Sequence, residues 1–187
     1  MLKKLNLGSG DKRIEGYLNL DKFDTFSPDF VHDLEKFPYP FNDNEVDEIK
    51  MIHVLEHIGS DPDIYINIIK ELYRICINDA LIHIRVPHPR NDDFLADPTH
   101  VRPITAFGLS LFDRELNEFW KEKGAANSPL AIIHNVNFKI IKNDTILEKK
   151  YQEMMASGEM TMEELKDIVN KYNNVVKENY IILKVIK

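Results

Sequence analysis

Two short apolar segments near the start of the chain, Leu2 to Leu7 and Tyr17 to Leu20, read as strands, and each ends on a residue type suited to a tight site. The first runs into Gly8-Ser9-Gly10 and the second into Asp21, with only Asp11 to Gly16 between the glycine turn and the second strand. Parallel neighbours ordinarily need a crossover of about a dozen residues, usually a helix. A connection this short has room for a very short helix or none.

The rest of the first half alternates short apolar runs with helical patterns, as βαβ units on a mostly parallel sheet require. Phe30 to Asp33 reads as a third strand, Pro38 and Pro40 mark a loop, and Val46 to Ile52 reads as a fourth strand. From Asp61 onward Ile64, Ile68, Leu72 and Ile75 recur at helical spacing, with Ile69 and Tyr73 beside them and Pro62 suited to the first turn. Ala80 to Val86 alternates as a strand stopped by Pro87, and a polar, proline-punctuated loop follows. Thr105 can cap a helix carrying Phe107, Leu111 and Phe112, and a second helical stretch covers Leu116 to Trp120. Asn137 to Ile141 and Tyr180 to Ile186 read as the last two strands. A helical insertion at about 148–178 separates them, and Thr161 with Glu164 forms a capping-box pattern inside it.

With 187 residues, 43% of them apolar, the chain can bury one core of ordinary size, so a single domain over 1–187 is expected. A net charge of -7 argues against the electropositive surface that nucleic acid requires. Cys76 is the single cysteine, which excludes an internal disulfide and a cysteine metal cage. Lys3 and Lys4 are followed by LNLGSGDKR rather than a long apolar run, and no run of about 18 apolar residues occurs. A cytoplasmic protein without membrane attachment is the expectation. The stretch AIIHNVNFKII and the terminal insertion could form a homo-oligomer interface.

Gly8 and Gly10 let the backbone turn sharply and a ligand approach closely, but two glycines alone say little. A dinucleotide fingerprint wants a third glycine where Arg13 stands and an acid about 20 residues further on, whereas Asp21 arrives sooner. Nicotinamide binding is thereby disfavoured. Asp21 can accept two hydrogen bonds from a ribose diol or can serve as a cap or turn residue, and the residue alone leaves both readings open. Asp33 can accept from an adenine amino group or can be a solvated loop carboxylate.

The succession LNLGSG, GYLNLD, VHDLEKFPYPFNDNEVDEIKMIHVLEHI, KELYRI and ALIHIRVP resembles the class I S-adenosylmethionine-dependent methyltransferases, in particular a group of small type 11-like members. The likeness covers roughly the first half of the chain. It implies a Rossmann-like three-layer α/β sandwich, with a mostly parallel sheet, an antiparallel strand near the C-terminus and a shortened first crossover helix. It also implies S-adenosylmethionine as cofactor. Leu7, Gly8, Ser9 and Gly10 would lie against the methionine part, Asp21 on the ribose hydroxyls, Asp33 and Leu34 around adenine, and His53 near the sulfonium. ICINDA at Ile75 to Ala80 departs from the family's usual turn, leaving Asn78 and Asp79 to make the bend.

His53, Glu56 and His57 sit at helical spacing. Ubiquinone-pathway O-methyltransferases carry a similar acid-x-x-Glu-His cluster in which a divalent metal is implicated, but His53 stands where the first acid would be. Glu56 and His57 also suit a plain helix start. The loop after Pro87 supplies His88, Arg90, Asp92, Asp93, Asp97, His100 and Arg102. A metal held by His88, Asp92 and His100 is the minority reading, and no metal is expected. His53 and His100 are the candidate catalytic bases, since an imidazole titrates near pH 6.5. His57, His88 and Arg102 are the candidate substrate contacts, Arg102 suiting a carboxylate or phosphate. The expected activity is methyl transfer to a small molecule, with an oxygen of a sugar or related metabolite as acceptor. A non-catalytic cofactor-binding or scaffold protein is the alternative, and a nicotinamide-dependent oxidoreductase stands third.

Overall fold

The computed structural model describes residues 2–187 and shows one seven-stranded sheet flanked by helices. The strands are β1 (Lys3–Leu7), β2 (Leu18–Asp21), β3 (Phe30–Val31), β4 (Val46–Ile52), β5 (Cys76–Pro87), β6 (Phe138–Leu147) and β7 (Val176–Val185). Their spatial order is β3-β2-β1-β4-β5-β7-β6, and only β7 runs against the rest. The order therefore reverses at β1, where β2 lies on one side and β4 on the other. Ligands of open α/β sheets bind at such a switch point, outside the carboxyl ends of the strands.

Helix α1 (Pro62–Ile75) is the crossover from β4 to β5. Asp61 Oδ1 caps it, accepting from the backbone N–H groups of Asp63 at 2.8 Å and Ile64 at 3.2 Å. Ile68, Ile69, Leu72 and Ile75 are buried against the sheet, each stabilising by about 1.5–3 kcal/mol. The helix passes straight into β5 at Cys76, and Asp79 takes the left-handed backbone that makes the bend (φ 66°). Val46 pairs with Cys76 but Glu48 with Leu81, so the extra residues of Ile77–Ala80 bulge out of the ladder.

Beyond β5 come α2 (Asp92–Ala96), α3 (Ala106–Ser110), α4 (Arg114–Glu122) and α5 (Leu130–His134). Thr105 caps α3 through Gly108 N–H. Between β6 and β7 lie α6 (Lys149–Ser157) and α7 (Met162–Lys171), the latter closed by the Thr161–Glu164 capping box. They share a small apolar cluster around Met160, Leu165 and Val175, separate from the main core. No helix among the described residues is long and apolar enough to cross a membrane.

The first crossover is reduced to turns. Asn6 and Asn19, 4% and 2% exposed, hold it in place. Asn6 Nδ2 donates to Asn19 Oδ1 and to Lys12 O, both at 2.9 Å, and Asn19 Oδ1 also accepts from Ile14 N. Asp29 accepts from Asn19 N at 2.7 Å and from Arg13 Nη2 at 2.6 Å. Around them the sheet carries polar and aromatic side chains: Tyr17 and Lys4 both donate to Glu48, Lys50 lies 4.4 Å over the Tyr17 ring, and His83 Nδ1 is 2.7 Å from the Tyr180 hydroxyl.

Candidate active site

A cleft of about 230 Å³ opens at the carboxyl ends of β1, β2 and β4. Gly8, Asp21, Asp33, Leu34, His53 and His57 all line it. The structure thus brings together, from four separate chain segments, half of the site residues singled out above.

Gly8 has φ 67°, and a Cβ built on it would fall 2.6 Å from Val54 Cγ2 and 2.8 Å from Cγ1. The position requires glycine for both conformation and space. Gly8 N–H and Ser9 N–H both donate to Leu20 O, at 2.8 and 3.0 Å, which ties the turn to β2. Gly10 N–H donates to Asp21 Oδ2 at 2.8 Å, and Phe23 N–H donates to Oδ1 at 2.9 Å. Asp21 is therefore a turn residue, as the plainer reading had it. Each of its oxygens keeps a further lone pair, so the carboxylate is also a fixed acceptor at the cleft, 8% exposed. Leu7 is fully buried beneath the turn, and the Ser9 hydroxyl is buried without a hydrogen-bond partner among the described residues.

Asp33 Oδ1 accepts from Glu35 N–H at 3.0 Å, and the buried Leu34 next to it receives the Tyr39 hydroxyl at its carbonyl, at 2.9 Å. Phe23 and Phe26 face each other edge to face, 6.5 Å between centroids, and form an exposed apolar rim. They follow Asp21 in a loop, where exposed aromatics are the sequence signal that sequence reasoning passed over.

His53 directly follows β4 with a left-handed backbone, φ 56°, a conformation that non-glycine residues hold mostly where the surroundings impose it. Its N–H donates to Arg85 O at 2.8 Å. The ring sits between two carboxylates, Nδ1 3.4 Å from Glu56 Oε1 and Nε2 3.2 Å from Glu178 Oε1. The contact with Glu56 raises the imidazole pKa, partial burial opposes this, and Glu178 adds to the rise. Glu178 arrives from β7 and is also paired with Arg85. Nothing in the local sequence around either residue announced this contact.

The loop histidines lie differently. His57 lines the cleft, and its Nδ1 is 2.9 Å from Thr99 Oγ1. His100 packs against Phe94 and against the His57 ring, off the cleft wall. His88 accepts from Arg90 N–H at 3.2 Å away from the cleft, and burial lowers its pKa. Arg102 donates to Gly59 O through Nε and Nη2 and stacks over Tyr65 at 4.1 Å, lining a second cavity between α1 and α3. Asp92 faces Asn174. His88, Asp92 and His100 do not form one cluster among the described residues.

No family model and no curated protein matches the sequence. Solved structures do match, over nearly the whole chain. A SAM-dependent methyltransferase from Archaeoglobus fulgidus superimposes with a TM-score of 0.60 at 16% identity, covering 98% of this chain and 86% of that one. This is the class I methyltransferase fold. Phosphoethanolamine N-methyltransferase 2 from Haemonchus contortus, in complex with S-adenosyl-L-methionine, matches with a TM-score of 0.54 at 10% identity, over 100% of this chain and 49% of that one. The [4+2]-cyclase SpnF matches with a TM-score of 0.53 at 13% identity, over 99% and 75%. The methyltransferase fold thus also carries chemistry other than methyl transfer, and the reaction has to be argued from the cleft.

Proposed function

We propose that the chain binds S-adenosylmethionine in this cleft and transfers the methyl group to a small-molecule acceptor, an oxygen of a sugar or related metabolite. The observation that carries the reading is Asp21, a carboxylate clamped by Gly10 and Phe23 N–H groups with free lone pairs at the switch point of the sheet. The residues fit this cofactor: Asp21 suits a ribose diol, Gly8 lines the cleft with bare backbone, and the Ser9 hydroxyl has an unmet hydrogen bond. When bound, the cofactor supplies a methyl carbon already activated by a sulfonium.

The chain's task is then alignment, which can contribute about 7 kcal/mol or more. Asp33 and Leu34 flank the adenine end, and Phe23 and Phe26 exclude water from it. His53 takes the proton leaving the acceptor hydroxyl once one ring nitrogen turns from its carboxylate, and the carboxylate that stays beside the other nitrogen favours the imidazolium that forms. His57 meets the acceptor on the cleft wall. His88, His100 and Arg102 sit outside the cleft and reach the acceptor only if the loop after β5 rearranges.

Calorimetry with S-adenosylmethionine and its demethylated product tests the cofactor, and no heat with either would overturn the assignment. Transfer of labelled methyl to a sugar-nucleotide or glycan pool tests the acceptor, and labelled product only in other pools would overturn that part. The cyclase on the same fold motivates a second reading, cofactor binding without methyl transfer. Binding with no turnover on any pool would favour it.

A further inference from the structure

Glu56 belongs to a short helical turn, Leu55–His57, directly after β4. Its side chain is 1% exposed, and neither carboxylate oxygen has a hydrogen-bond partner among the described residues. The 3.4 Å approach of His53 is an ion-pair distance without hydrogen-bond geometry. An ionised carboxylate in such a place is costly unless a cation or donors meet it. Two imidazoles stand beside it: ligand atoms of Glu56, His57 and His100 lie within 4.8 Å of one another.

The hydrogen bonds of both rings leave the right nitrogens free. His100 Nδ1 is 2.8 Å from Phe94 O, an oxygen that can only accept, so Nδ1 carries the proton and Nε2 keeps its lone pair. Thr99 Oγ1 donates to Asp97 Oδ1 at 2.6 Å, so it accepts from His57 Nδ1 at 2.9 Å, and His57 Nε2 is also left as a lone pair. This chain of imidazole, hydroxyl and carboxylate is the outer-shell arrangement that fixes ligating histidines in metal sites. Val101 N–H and Arg102 N–H both donate to Glu56 O, which holds the His100 loop against the carboxylate.

We infer that Glu56, His57 and His100 form a binding site for one divalent cation of the zinc class. Two imidazoles and one carboxylate are the ligand set of a cation of borderline softness rather than of magnesium or calcium, which prefer all-oxygen surroundings. Ligands about 2.1 Å from one tetrahedral ion lie about 3.4 Å apart, so the set closes by side-chain torsion. The set differs from an acid-x-x-Glu-His cluster, because its third ligand comes from the loop after β5 and His53 takes no part. It also differs from the His88, Asp92, His100 set that the sequence suggested. His57 places the cation at the acceptor side of the cleft, yet the site stands whether or not S-adenosylmethionine binds.

The test is titration of the chelator-stripped full chain with Zn²⁺ against a chromophoric competitor, with Co²⁺ as a spectroscopic stand-in. One equivalent of Zn²⁺ should bind, and Co²⁺ should give the intense visible absorption of a four- or five-coordinate centre. Glu56→Gln and His100→Gln should each weaken Zn²⁺ binding at least tenfold. Asp97→Asn, at a side chain 44% exposed whose Oδ2 lies 3.9 Å from His100 Nε2 and whose Oδ1 holds the Thr99 hydroxyl, should weaken it by about 10–100-fold with an unchanged circular dichroism spectrum. His53→Gln should retain the wild-type Zn²⁺ affinity. No stoichiometric Zn²⁺, only the faint spectrum of hexa-aqua-like Co²⁺, or folded His100→Gln and Asp97→Asn variants with undiminished affinity would each overturn the site.

Discussion

Replacing Gly8 with alanine separates the two demands that the glycine turn makes on its residue. The backbone there is left-handed at φ 67°, which costs an L-residue about 1–2 kcal/mol. The added Cβ would also lie 2.6, 2.8 and 3.3 Å from Val54 Cγ2, Cγ1 and Cβ. Val54 is 7% exposed and belongs to the core, so the overlap has to be relieved by a shift of packed structure, about 1–3 kcal/mol. Gly8→Ala should therefore destabilise the chain by about 2–5 kcal/mol in urea unfolding. Val54→Ala alone removes two buried methyl groups, at about 0.8 kcal/mol each before any cavity cost. In the double variant the two closest contacts are gone and only the 3.3 Å one remains. The pair should thus be less destabilised than the sum by about 1–3 kcal/mol, while the backbone cost persists. Additivity within about 0.5 kcal/mol would refute the steric part of the reasoning. A Gly8→Ala variant as stable as the wild type would refute both parts.

Asp21→Ala removes a charged acceptor from both the Gly10 and Phe23 N–H groups and from the proposed ribose site. Affinity for the demethylated cofactor should fall by about 100-fold or more in calorimetry, and unchanged affinity would remove Asp21 from the site. Asn19→Ala should cost about 2–4 kcal/mol in urea, because its contacts to Asn6, Ile14, Tyr17 and Asp29 are what closes the first crossover; a loss under about 0.5 kcal/mol would mean the crossover is held otherwise. Asp29 has its carboxyl held at about 2, below the usual 3.8, by Asn19 N–H first and then by Arg13 and the Asn19 amide. A lowered folded-state pKa gives a stability contribution that is complete above the ordinary value and lost as pH falls through the folded one. The urea midpoint of Asp29→Asn should therefore lie below that of the wild type at neutral pH, and the gap should close between about pH 4 and pH 2. A gap independent of pH would assign the effect to something other than ionisation.

What sequence disclosed follows from how local each signal is. Helix α1 was legible because Asp61, Pro62 and the isoleucines act within a few residues of one another. One half of the cleft was legible for the same reason: Gly8, Asp21 and Asp33 each stand at the end of a strand, and parallel strands bring their ends together. The bend at Asn78 and Asp79 was also local, and Asp79 takes it with a left-handed backbone. The other half depends on pairings across the chain. Glu178 reaches His53 only because β7 inserts between β5 and β6, and Glu56 suits a plain helix start until the loop carrying His100 folds over it.

The missing first crossover helix ties these observations together. Such a helix would bury apolar side chains of β1 and β2 on its face of the sheet, and this chain has Asn6 and Asn19 there instead. A buried amide is tolerable only when its donors and acceptors are met, and the turn at Asp11 to Gly16 meets them with Lys12 O and Ile14 N while Asp29 closes the circuit. The shortness of the connection is thus a condition for the network, since a helix in its place would put its own apolar face over those two asparagines and leave their amides unmet. Because β2 is positioned by these bonds, so is Asp21 at its end, and so is the distance from Asp21 to the glycine turn. The network that replaces the helix is therefore what sets the geometry of the cleft, and a substitution at Asn19 should weaken cofactor binding as well as stability, although Asn19 does not line the cleft.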